Sequence, residues 1–189
     1  MKQALLVIDA QQELIDGNND EQEVFKKDRL IENINFVIQQ ALTENAVIIF
    51  VRDKDVANGQ GAGFQVHNEI NIPTNRAIFI DKKATNAFYQ TDLLQYLKDQ
   101  KVVHLVMMGC KTEHCIDTAV RSATVQSFDV TLVADGHSTT DSKTLSAEQI
   151  IAHHNETLHG HYNVDNFAVV RNAQDYVFKP NHNQYRTEM

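Results

Sequence analysis

Cysteine is scarce: Cys110 and Cys115 are the two in 189 residues. A pair cannot build a disulfide framework, and metal centres made from several thiolates are excluded with it. Such sparing use of thiols fits a reducing cytoplasm. Long apolar runs are also missing. None approaches the ~20 residues that cross a bilayer as a helix, so no membrane association is expected. The start of the chain meets Asp9 too soon to read as a signal peptide. Basic residues are outnumbered, 17 against 25 acidic ones, for a net charge of −8 with His neutral. A surface of that sign repels phosphate backbones, so nucleic acid is not an expected partner. Glycine supplies only seven residues, three of them within 58–63. That stretch reads as the most flexible loop and as a possible pocket border. No internal repeat or low-complexity tract is present.

What the chain does contain is an ordinary globular balance, 42% hydrophobic and 22% charged. The length predicts one domain over 1–189. Apolar runs of strand length occur at 5–8, 46–51, 77–80, 102–108, 130–134 and 167–170. They are continuous rather than alternating and rich in β-branched residues, which predicts strands buried on both faces of a parallel sheet. Between them, Leu30, Ile31, Ile34, Val37, Ile38, Ala41 and Leu42 make one apolar helical stripe. Thr91 reads as the N-cap of a second helix carrying Leu93, Leu94 and Leu97. A third should carry Cys115, Ile116, Ala119, Val120 and Ala123, and a fourth Ala147, Ile150, Ile151 and Leu158. The expected fold is α/β, a three-layer αβα sandwich with a mostly parallel six-stranded sheet. Its core covers about 3–171, and the tail at 173–189, without apolar periodicity, is expected to wrap the surface or reach a neighbour.

In open parallel sheets, ligands bind outside the carboxyl ends of the strands. That rule collects Asp9, Arg52, Asp53, Lys82, the turn at 109–115 and Asp135. Three of these make a nucleophilic set. Cys115 is the thiol; a helix start would lower its pKa and offer N–H groups to an oxyanion. Asp9 can take the thiol proton and return it to a leaving group. Lys82 keeps that carboxylate ionised. Each has a plainer reading: core filler for Cys115, a loop cap for Asp9, a solvated charge for Lys82. Cys110 reads as structural, Asp135-Gly136 as turn chemistry, and His153-His154 as a polar helix face.

Taken in order, the motifs resemble the isochorismatase-like cysteine hydrolase superfamily, which includes nicotinamidases and N-carbamoylsarcosine amidases. Leu6-Val7-Ile8-Asp9-Ala10-Gln11 resembles its opening D-x-Q. Lys82-Lys83-Ala84-Thr85-Asn86-Ala87-Phe88 resembles K-x-x-x-S-A-F, with Asn86 in place of serine. Gly109-Cys110-Lys111-Thr112-Glu113-His114-Cys115-Ile116-Asp117-Thr118-Ala119 resembles G-x-x-T-x-x-C-V-x-x-T-A. The resemblance covers about 3–171. It implies an Asp-Lys-Cys triad at Asp9, Lys82 and Cys115, the spacing to Asn86 selecting Lys82 over Lys83. It also implies a non-proline cis peptide between Cys110 and Lys111, turning the Lys111 N–H, with that of Cys115, towards an oxyanion. Gln11, Leu14, Asp53, Phe64 and Phe88 are expected in the pocket wall.

Nicotinamidases in this superfamily hold a metal with an Asp-x-His pair and a later His. Here Arg52-Asp53-Lys54-Asp55 lacks that pair and His67 stands alone. No metal and no cofactor are therefore expected. Retention of Cys115 favours a small amide or carbamoyl substrate cleaved through a thioester. A vinyl-ether hydrolase, an inactive binding module and a thiol sensor using both cysteines are the rival readings. The resemblance further implies a homo-oligomer, dimer or larger.

Overall fold

Each of the six apolar runs becomes a strand, usually longer than its apolar kernel because the polar residues at its end still join the ladder. In the computed structural model, which describes residues 1–179 and His182, these are β1 (Lys2–Ile8), β2 (Val47–Asp53), β3 (Ala77–Lys82), β4 (Val102–Cys110), β5 (Asp129–Ser138) and β7 (Asn166–Arg171). The sheet has seven strands rather than six, because β6 (Tyr162–Asn163) pairs antiparallel with β7. Only two residues long, with Tyr162 exposed, β6 is held by backbone pairing and leaves no hydrophobic signature. All other pairings are parallel, in the order β3-β2-β1-β4-β5-β7-β6.

Period-two alternation sends the strand residues into two cores. Leu5 and Val7 of β1, Ile48 and Phe50 of β2, and Val106 and Met108 of β4 face one helix, α2 (Lys27–Thr43). Its Leu30, Ile31, Ile34, Val37, Ile38 and Ala41 are all buried, as their spacing predicts. Ala4, Leu6, Ile8, Ile49, Leu105 and Met107 face the opposite layer. There lie α4 (Leu93–Asp99), α5 (Asp117–Val125) and α6 (Ala147–Leu158), while the short helices α1 (Gln12–Asp16) and α3 (Gly61–Phe64) pack against each other. Each fully buried aliphatic side chain contributes roughly 1.5–3 kcal/mol, so both layers are strongly fastened to the sheet. Among the described residues, no helix is long and apolar enough to cross a membrane.

Three expectations need correction. The N-cap position of α4 falls one residue later than expected, at Asp92, with the helix opening at Leu93; Thr91 still serves the helix start, its hydroxyl donating to Ala87 O at 2.6 Å and accepting from Leu93 N at 3.4 Å. Cys115 does not open α5 but sits in a π-helical turn, Thr112–Ile116, that precedes it. The described part of the tail turns inward. Ala173, Val177 and Phe178 are buried, and the Gln40 side chain on α2 bonds both Ala173 O and Val177 N. The other tail residues, 180, 181 and 183–189, lie outside the described residues.

Gly109 positions the end of β4. Its φ is +125°, and a Cβ there would lie 1.9 Å from the carbonyl oxygen of Ile8, its register partner on β1. Only glycine permits that close approach. Gly109→Ala is expected to lose at least about 2 kcal/mol in urea unfolding; unchanged stability would contradict the contact.

Candidate active site

The chain runs outward from β1 to β2 and β3, then returns to β4 on the other side of β1. The reversal opens a crevice at the carboxyl ends of β1 and β4, where open α/β sheets place their ligands. Asp9 is the first residue beyond β1. Its left-handed backbone (φ 50°), tolerated by aspartate, ends the ladder after its N–H donates to Val51 O at 2.8 Å. Lys82 ends β3 in register with Asp53 at the end of β2. Cys115 comes from the turn after β4.

These four side chains meet. Lys82 Nζ lies 2.9 Å from Asp9 Oδ2 and 3.4 Å from Cys115 Sγ, and it is paired directly with Asp53 Oδ2. The donor atoms of Asp9, Asp53 and Cys115 all fall within 4.8 Å of one another. Two carboxylates and a thiol so close could bind a cation, and the Lys82 ammonium is the cation that balances them. His67, the isolated histidine of the sequence, points elsewhere, its Nε2 at 3.2 Å from Asp16. Lys83 is exposed, as the motif spacing requires.

Burial decides the electrostatics. It pushes the Asp9 carboxyl up to about 6 against the opposing pull of Lys82. Lys82 and a hydrogen bond from the Cys115 thiol stabilise its charge. Burial alone would lower the Lys82 ammonium, but the neighbouring Asp9, Cys115 and Asp53 raise it above the ordinary lysine range. The Cys115 thiol moves opposite to expectation: burial first, then the Asp9 charge, push it up to about 12 despite Lys82. A helix start does not lower it, because the sulfur is tucked beside a carboxylate in the π-turn. At neutral pH the resting group is a thiol. Cys110 is fully buried and its thiol is raised by desolvation, in keeping with a structural residue.

The turn itself is braced from below. The Cys110–Lys111 peptide is cis, as the resemblance implies. Thr112 Oγ1 lies 2.8 Å from His137 Nδ1, and His137 Nε2 lies 2.9 Å from Asn155 Oδ1. Burial lowers His137 to about 4. The ring is therefore neutral at pH 7, donating from Nε2 to the Asn155 oxygen and accepting from the threonine hydroxyl. Sequence reasoning missed this bracket, whose members lie on three separate elements.

A cleft of about 420 Å³ stands over the cluster, lined by Asp9, Asp53, Cys115, Leu14 and Lys111 among others. Leu14 and Asp53 are thus cleft-lining, and Asp53 is also a second carboxylate on Lys82. Three expected wall residues do not line it. Gln11 is fully buried as a staple, bonding Asp53 N and O and Phe64 O. Phe64 is buried beneath the Arg52 guanidinium, and Phe88 stacks on Phe128 in the apolar layer. Bulky rings gain more by packing than by facing a polar cleft. Asn86 Oδ1 accepts from Phe88 N at 2.9 Å, a turn contact of the kind a serine there could also make. Glu13, Glu21, Asp55 and Thr85 line the cleft unanticipated, beside His114 of the expected turn.

Comparison with known proteins identifies the family. Residues 3–157 match the family model described as the isochorismatase domain. The chain belongs to the isochorismatase family of hydrolases. A solved structure of an isochorismatase-family protein superposes with a TM-score of 0.79 at 29% identity, covering 89% of this chain and 96% of that one. The uncharacterized family protein YrdC of Bacillus subtilis (strain 168) is 27% identical over 71% of this chain and 72% of its own length. Streptothricin hydrolase of Streptomyces noursei is also 27% identical, over 74% of this chain and 55% of its own length.

Proposed function

We infer that this isochorismatase-family hydrolase cleaves the C–N bond of a small amide or carbamoyl compound through a thioester on Cys115. The observation that carries the reading is the meeting of a thiol, a desolvated carboxylate and an ammonium at the floor of one cleft. Asp9, with a pKa of about 6, is ionised at pH 7 yet basic enough to accept a proton. It takes the thiol proton as sulfur attacks the carbonyl carbon, so a free thiolate never accumulates. The oxyanion that forms is held by the N–H groups of Lys111 and Cys115. As the C–N bond breaks, the proton passes from Asp9 to the departing nitrogen. Water then attacks the thioester, giving its proton to Asp9, and the thiol is regenerated when sulfur leaves and takes that proton back.

Vinyl-ether hydrolysis is the second reading, since a protonated Asp9 could act there as a general acid with Cys115 idle. The raised Asp9 pKa serves either chemistry, but only the amide route uses the sulfur that Lys82 contacts. A screen of small amides and ureides, scored by ammonia release, tests the choice. Iodoacetamide is expected to abolish that release; amide turnover that survives complete alkylation of Cys115 would refute the thioester. A cytoplasmic setting and homo-oligomeric assembly accompany this reading, resting on cysteine usage and family resemblance.

A further inference from the structure

The backbone bonds that close the turn of Cys115 are long. His114 N and Ile116 N both reach the single carbonyl of Lys111, each at 3.2 Å, the far end of the ordinary range. Side chains fasten the turn more closely, and both fastenings lead to the end of β5. Thr112 Oγ1 lies 2.8 Å from His137 Nδ1, and Glu113 Oε1 accepts from the Thr139 hydroxyl at 2.9 Å. The sheet is irregular where this happens. Its ladder advances from Met107 to Gly109 on β4 but from Leu132 to His137 on β5, so β5 bulges and sets His137 opposite Gly109.

The direction of every bond in this support follows from one backbone carbonyl. Asn155, on α6, donates from Nδ2 to Ala134 O at 3.0 Å. A carbonyl only accepts, so the amide orientation is fixed and Asn155 Oδ1 is the atom turned to His137 Nε2. That nitrogen must then carry the ring proton, which leaves Nδ1 to accept from the Thr112 hydroxyl. Thr112 and His137 are buried, and a buried polar chain whose members are all satisfied holds one geometry firmly.

Resting on the reading in which Asp9 takes the proton of Cys115, we propose that His137 is a positioning residue: oriented by Asn155, it holds the Thr112 hydroxyl and thereby keeps the Cys115 sulfur against Asp9 and Lys82. Loss of the hold has two opposite consequences. Hydrolysis falls, because the thiol is no longer aligned with its base. The thiol itself becomes more acidic, because the burial and the Asp9 charge that push it up to about 12 both weaken.

Thr112→Val keeps the side-chain shape and deletes the hydroxyl. It is expected to lower kcat on an amide about 10²-fold while KM changes less than about threefold. Alkylation of Cys115 by iodoacetamide at pH 8 should meanwhile become about tenfold faster, with Cys110 still unmodified by mass mapping. Thr112→Ser, which retains the hydroxyl, should recover most of the lost rate. His137→Ala supplies a second test, since His137 and Asn155 line a separate cavity of about 370 Å³ through which a small ring can enter. Imidazole should restore about tenfold of the loss in that variant, whereas pyrrole, which has no acceptor nitrogen for Thr112, should restore none. Unchanged kcat and alkylation in Thr112→Val, alkylation that spreads to Cys110, or rescue by pyrrole equal to that by imidazole overturns the proposal and leaves the amide reading standing. Should the parent turn over no amide at all, faster alkylation confined to Cys115 in Thr112→Val still supports the positioning role, and the hydrolytic reading alone falls.

Discussion

Cys115→Ala is expected to reduce ammonia release from a responsive amide by at least ~10³-fold, with little change in stability. Half-buried and beside the Asp9 carboxylate, the thiol is pushed up to about 12, so the ground state holds no useful thiolate. Attack therefore depends on Asp9 taking the proton as the S–C bond forms, and alanine offers neither proton nor nucleophile. Serine should rescue little. Its hydroxyl is far less acidic than a thiol, while the base available to it is still a carboxylate of pKa about 6. Mass spectrometry of the parent, quenched during turnover, should show an adduct equal to the acyl group and lost in Cys115→Ala. Full turnover by the alanine variant would remove the covalent scheme. An adduct that mapped to Cys110 instead would be equally damaging, because that thiol is sealed in the core.

The strands were legible in the sequence because the parallel sheet is covered on both faces, so each strand writes a continuous apolar run. The site was legible for a related reason. Asp9 and Lys82 each stand at the polar end of such a run, where the rule for open sheets places ligands, and motif order joined them to Cys115. What the sequence concealed were contacts made by chain approach. Gln11 carries no mark of its partner 42 positions away, yet its amide ties the end of β2 to β1 and sets Asp53 beside Lys82. The sign of the Cys115 shift was hidden for the same reason: a helix start can be read locally, whereas desolvation and the distance to Asp9 exist only after folding. Phe64 and Phe88 were close to the right elements in sequence, but side-chain direction sent both into packing. His137 could be placed near a strand end, with nothing local to join it to Thr112 and Asn155.

Lys82→Met is expected to produce the largest loss of stability, roughly 3–5 kcal/mol at pH 7, the usual cost of stranding buried charge. The lysine side chain is fully buried and Asp9 nearly so, and the substitution leaves the Asp9 and Asp53 carboxylates facing each other without a counter-charge. The pH dependence gives the prediction its sign. In the parent, Asp9 ionises at about 6 in the fold against an ordinary value of 3.8, so the folded state binds that proton more tightly. Its ionisation therefore weakens the fold as pH rises from about 4 to 6. Lys82, raised in the fold, contributes its full stabilisation below the ordinary lysine range and loses it only in strong alkali, so it is constant across this window. Removing it deletes the largest influence holding the Asp9 pKa down. The deficit of the variant should consequently shrink on acidification, as Asp9 takes up its proton and the repulsion ends. Catalysis should follow the same group. In the parent, the acid limb of kcat/KM is expected near pH 6. In Lys82→Met it should move to higher pH by about a unit or more, with a lower plateau. Lys82→Arg keeps the charge and should hold the limb near its original place while losing rate through altered geometry. If the methionine variant keeps an unmoved acid limb, Asp9 is not the group that must lose its proton, and the base in this mechanism has to be sought elsewhere.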